Sequence, residues 1–162
     1  MTTPNEVMTA DQLLHHWQAH RGLTRRTIEA FPEKELFEFS IGGMRPFKQL
    51  VQEMIDIAIP GVEGIATRKW AKTEWDHTNS TIKTKAGLLA AWDEVTDIIN
   101  EWWPKIPEGR FQERDVAYGQ YEGPIYWTLL YAIDNEIHHR GQGYVYLRAL
   151  GIEPPPFWDR NA

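Results

Sequence analysis

Four apolar stripes of helical period, each closed by proline or glycine, constrain this chain more than any other feature. The first opens at Thr9-Ala-Asp-Gln12, which has capping-box form. It carries Leu13, Trp17, Thr24 and Ile28 on one face and ends at Phe31-Pro32. A loop with Ser40, Gly42 and Gly43 follows, and a second helix starts near Arg45-Pro46, where proline suits a first turn. Its stripe is Phe47, Leu50, Val51, Met54, Ile55, Ala58, Val62 and Ile65, with Pro60-Gly61 predicting a kink or short break inside it. Trp70 to Lys83 reads as loop, with turn material from Asp76 to Ser80. Thr84 caps a third helix bearing Leu88, Leu89, Trp92, Val95, Ile98, Ile99, Trp102 and Trp103, which Pro104 and Pro107 close. Residues 108–123 read as an irregular, extended or hairpin-like crossing. Gly123-Pro124 then opens a fourth helix to about Leu150, with Gly151 as its cap. The tail Pro154-Pro155-Pro156-Phe157-Trp158 is expected to pack its aromatic end on the helices. The fold class is therefore all-α, an antiparallel four-helix bundle, in one domain over residues 1–162.

Composition narrows the function. Eight Trp, six Tyr and six Phe in 162 residues supply large rings for an interior. A formal charge of −6, from 17 basic and 23 acidic residues, argues against a nucleic-acid surface, which needs clustered cations. No stretch approaches the ~18 consecutive apolar residues of a membrane span, and Met1 to Thr9 has neither the basic start nor the apolar run of a secretory signal. Cysteine is absent, which excludes disulfides, thiolate metal sites and a cysteine nucleophile. A cytoplasmic protein that touches neither nucleic acid nor membrane is the expectation.

The chemistry concentrates in the fourth helix, at Asp134-Asn135-Glu136-Ile137-His138-His139-Arg140-Gly141-Gln142. Asn135 and His139 stack one turn apart, so both can meet one metal ion, although an amide oxygen is a weak ligand beside an imidazole. The bland reading, weightier on these residues alone, is a polar helix edge with hydrogen-bonded histidines. Glu136 and Arg140 project near the middle of the apolar face and should pair, either as a structural ion pair or as support for His139.

Glu136-Ile137-His138-His139-Arg140-Gly141-Gln142, with Tyr146-Leu147-Arg148 and Gly151 behind it, resembles the signature helix of the DinB/YfiT-like superfamily. Arg45 to Met54 resembles that family's second helix. The resemblance implies a divalent metal, usually Zn or Ni, held by one second-helix histidine and a last-helix pair four residues apart. By position the ligands fall on Glu53, Asn135 and His139, so one histidine of three is kept and the metal should be weakly bound or absent. Ile57, Gly61 and Gly64 would leave space beside Glu53, and His20 on the first helix could supply an imidazole, against the commoner role of a hydrogen-bonded histidine. His138 points elsewhere, and His15 and His77 read as solvated, with Asp76 as a partner for His77.

Two functions stay open. One is a metal-dependent enzyme of the thiol-transferase or hydrolase type, with a low-molecular-weight thiol as the small molecule, for which no catalytic base can be named. The other is a non-catalytic stress-response or small-molecule-binding bundle that has lost its metal, in a family known mainly as damage-inducible. A homodimer is expected, because Trp102, Trp103, Trp127 and Trp158 cannot all fit one interior stripe and relatives commonly pair.

Overall fold

The first helix starts where its capping box places it. Thr9 Oγ1 accepts from the Gln12 amide at 3.1 Å, and Gln12 Oε1 accepts from the Thr9 amide at 2.9 Å. The structure is a computed structural model that describes residues 6–72 and 75–160. The N-terminal residues 1–5, part of the stretch lacking a signal, and residues 73–74 of the long loop lie outside the described residues, as do 161–162.

Among the described residues there are five α-helices and one hairpin. Helix α1 spans Ala10–Ala30, α2 Glu33–Glu38, α3 Phe47–Thr67, α4 Lys85–Trp102 and α5 Ile125–Ala149. The sequence-predicted helices are thus α1, α3, α4 and α5. The short α2 lies where a loop was expected; it buries only Leu36, so it leaves no stripe to read. Helix α3 continues through Pro60 without a break, which corrects the expected interruption there as far as the helix itself is concerned. One missing N–H removes a single ladder bond, and the buried face from Phe47 to Ala66 holds the helix on both sides of it. Thr84 Oγ1 caps α4 by accepting from the Gly87 amide at 3.0 Å. Helix α5 closes with Gly151 at φ +73. The Ile152 amide reaches Leu147 O at 2.8 Å and the Gly151 amide reaches Arg148 O at 3.0 Å, the paired bonds of a Schellman cap.

The crossing between α4 and α5 contains strands β1 (Arg114–Ala117) and β2 (Tyr121–Pro124), antiparallel, with Arg114 opposite Pro124 and Ala117 opposite Tyr121. The fold is therefore predominantly helical with a small two-stranded sheet, rather than purely α.

Helix α3 packs on α4 and α5, and α1 packs on the same two. Their shared interior holds Trp17, Ile28, Phe47, Leu50, Trp92 and Ile133 among others. Phe31 and Phe47 stack with ring centres 4.8 Å apart. A Cβ at Gly143 would come within 2.4 Å of the Phe47 ring, so only glycine lets α5 lie this close to α3. Buried Arg21 ties α1 to α4: it sits 3.9 Å over the Trp92 ring and donates to Thr96 Oγ1 and Trp92 O, each at 2.8 Å.

The tail departs from its expectation. Pro154 is buried, but Phe157 and Trp158 are 67% and 72% exposed. The tail is held by polar contacts instead: Arg26 bonds Asp159, and Arg160 reaches His20. Trp103 is buried, whereas Trp127 also faces outward. Among the described residues, no helix is long and apolar enough to cross a membrane.

Candidate functional site

Helix α3 presents Glu53 from the flank of its buried face toward α5, where Asn135 and His139 follow one another by one turn. Glu53 Oε1 accepts from Asn135 Nδ2 at 2.9 Å and lies 3.0 Å from His139 Nε2. Its other oxygen, Oε2, accepts from Arg45 Nη2 at 2.6 Å. The three residues singled out in the sequence therefore come together, and Arg45, from the turn before α3, joins them. Burial pushes the Glu53 carboxyl pKa up, but the bonds from Arg45, Asn135 and His139 outweigh it and bring it down to about 2.

The carboxylate sets the orientation of its neighbours. It can only accept, so the Asn135 amide must turn Nδ2 toward it, and Asn135 Oδ1 is left buried without a hydrogen-bond partner. His139 has Glu53 at Nε2 and Gln142 Oε1 at Nδ1, 2.6 Å away, so an acceptor stands at each ring nitrogen. A nitrogen that donates to Glu53 has no lone pair to offer an ion. These residues fit a divalent metal poorly. The set holds one imidazole and one amide, and a guanidinium is already seated on the carboxylate. Among the described residues, no three His, Cys, Asp or Glu side chains gather as a metal site requires.

The remaining candidates lie elsewhere. His20 faces α5 from α1, with Arg140 Nη2 at 2.9 Å from Nδ1 and Arg160 Nη1 at 3.0 Å from Nε2, so its ring is committed away from Glu53. Burial and the adjacent Arg140, His16 and Arg160 charges bring its pKa down to about 3. Glu136 and Arg140 do approach, at 3.8 Å, but Glu136 accepts from Thr24 Oγ1 at 2.6 Å and also faces Arg21 at 3.9 Å. That cluster joins α5 to α1 through Arg21 and Thr24, away from His139 and Glu53. His15 and His138 are exposed. His77 is not solvated: its side chain is 9% exposed and bonds Asp56 on α3 at 2.8 Å. Asp76 instead binds the neighbouring Thr78 and Asn79.

Glu53 also borders a cavity of about 530 Å³ between α3, α5, the hairpin and the loop at Trp75–His77. Ile57, Ala58, Val62 and Leu129 give it aliphatic walls. The hairpin tip delivers Tyr118, whose backbone sits at φ +56, a left-handed conformation costly for a bulky side chain. Its ring lies 5.1 Å from Trp70 and 5.0 Å from Trp75. Gly61 admits the Tyr118 hydroxyl, and Gly64 admits Trp70, whose ring would meet a Cβ at 2.2 Å. The space expected beside Gly64 is thus filled by an indole. Sequence reasoning missed this part of the aromatic wall, because its members come from one loop and the hairpin, with no helical period. The density of rings at Trp70, Trp75, Tyr118 and Tyr121 was its one visible signal.

Fold and site together define a mainly helical protein with a carboxylate-centred polar hub beside an apolar cavity. The chain belongs to the DinB family, whose family model matches residues 1–160. It is similar in fold to a DinB-like protein of Bacillus cereus, at 16% identity and a TM-score of 0.73, over 91% of this chain and 97% of the other. A DinB-like protein of Bacillus subtilis is similar at 18% identity and a TM-score of 0.72, over 93% and 99%. No match was found among curated proteins.

Proposed function

We propose that this chain is a single-domain, four-helix DinB-family bundle that binds a small molecule, with a hydrogen-bond network where the family resemblance places a metal. The observation that carries this reading is the occupation of Glu53. One of its oxygens takes Asn135 and His139, the other takes Arg45, and the same carboxylate borders the cavity. Pockets of this size and apolar lining are the usual form of small-ligand sites. Zn or Ni would have to displace these bonds, with the Glu53 carboxylate and one imidazole, its only strong nitrogen ligand, to hold it.

The second reading, a metal-dependent thiol transferase or hydrolase, draws on one feature: the polar heads lie about 3 Å apart, a spacing that a shared ion also accepts. Calorimetric titration with Zn and with Ni separates the two. The native chain should bind weakly, and Asn135→His should gain on the order of a hundredfold by adding an imidazole one turn from His139. His138→Ala should change little. Tight binding by the native chain, or no gain in Asn135→His, would count against the network reading.

A further inference from the structure

The cavity has a chemical bias that the hub alone does not require. Six residues of its wall are aromatic: Trp17, Trp75, Tyr118, Tyr121, Trp127 and Tyr131. Apart from His77, which is paired with Asp56, the ionisable groups of charge-bearing type among the described lining residues are Glu53 and Glu122, both acidic, each with an arginine beside it: Arg45 at 2.6 Å from Glu53 and Arg114 at 3.5 Å from Glu122. No Lys or Arg among the described residues lines it; Arg45 reaches the Glu53 oxygen Oε2 from outside the wall. A carboxylate has about four lone-pair positions, and Arg45, Asn135 and His139 use three of those on Glu53. Aromatic faces carry negative potential and attract a cation, weakly at exposed rings such as Tyr121, Trp127 and Tyr131 and more strongly at buried ones such as Trp17. An anion would meet carboxylates and ring faces together, both repulsive. A neutral O–H or N–H donor fills the remaining Glu53 acceptor position as well, but gains nothing from the ring faces, which attract positive charge.

We propose that the cavity takes an organic cation: a protonated amine on a flat apolar body, with its ammonium at Glu53 and its body against the aromatic wall. This rests on the reading of the cavity as a small-molecule site and names the ligand's class. The strained Tyr118 supports it, since its ring is held in that wall between Trp70, Trp75 and Tyr121 despite the backbone cost. Trp75 adds a buried indole N–H without a hydrogen-bond partner, a donor suited to an acceptor atom on the ligand body.

The test uses three probes of one shape on the intact chain, by calorimetry and tryptophan fluorescence: 2-(2-naphthyl)ethylamine, the neutral 2-(2-naphthyl)ethanol and the anionic 3-(2-naphthyl)propanoate. The amine should bind about tenfold or more tighter than the alcohol, with the carboxylate weakest. Glu53→Gln should remove most of the amine's advantage. Trp127→Ala, at a position 58% exposed, should weaken amine and alcohol alike. If amine and alcohol bind equally, or the carboxylate binds tightest, the cation assignment is overturned while the cavity stands as a small-molecule site. If no probe binds the folded protein, both fall.

Discussion

A neutral imidazole has one nitrogen that accepts and one that donates, yet His20 meets a guanidinium at each. Protonation would set three cations together, with His16 alongside at 4.6 Å between ring centres. Burial first, and then these charges, hold the His20 pKa of the folded chain at about 3, against 6.5 for an ordinary histidine. A pKa depressed by folding means that the unfolded chain binds the proton first. Stability is then full above about pH 6.5 and falls as pH drops toward about 3. Glu53 acts in the same direction over a lower window, between 4.5 and about 2. Denaturant titrations at about pH 7 and about pH 5 should show the native chain losing stability while His20→Gln, with nothing to titrate there, loses less. Equal losses would mean that His20 is not the group responsible. At this scale the sequence was informative about Asn135 and His139, whose spacing is local to one helix. It was silent on Arg45, which reaches Glu53 across two turns of chain, and on the partner of His77.

At the scale of elements, what the sequence made legible was what depends on near neighbours. Thr9, Thr84 and Gly151 cap helices through residues within five positions, and each bond forms. Helix α2 and the continuity through Pro60 were hidden because tertiary packing decides them. The pairing of the Glu53 edge with the Asn135 edge came from family resemblance, since periodicity gives a face and not its partner. Two glycines show how far packing overrides propensity. Gly64→Ala sets a Cβ inside the Trp70 ring and should cost about 1–3 kcal/mol in denaturant unfolding, with Trp70 fluorescence shifted toward the exposed state. Gly141→Ala, in exposed mid-helix with nothing within 4 Å, should be neutral or stabilising by up to ~1 kcal/mol. Equal effects at the two sites would show that helix propensity, not the approach of Trp70, governs them.

For the whole molecule, the outer face of α5 leaves Trp127, Leu130, Tyr131 and Ile137 exposed at helical spacing. Water contact along such a stripe favours self-association, and we propose a homodimer that covers it. Sedimentation at micromolar concentration should give twice the 18.9 kDa chain mass, and Ile137→Glu, outside the cavity lining, should shift it toward the monomer. A native species of 18.9 kDa alone would exclude the dimer under those conditions. The central claim, that hydrogen bonds stand at Glu53, Asn135 and His139 in place of an ion, has a more direct test. It is the metal content of the native chain, purified without added ions and dialysed against a chelator. The account predicts well under one ion per chain, with the fold unchanged by dialysis; one Zn or Ni ion per chain surviving that treatment, and lost in His139→Ala, would contradict it.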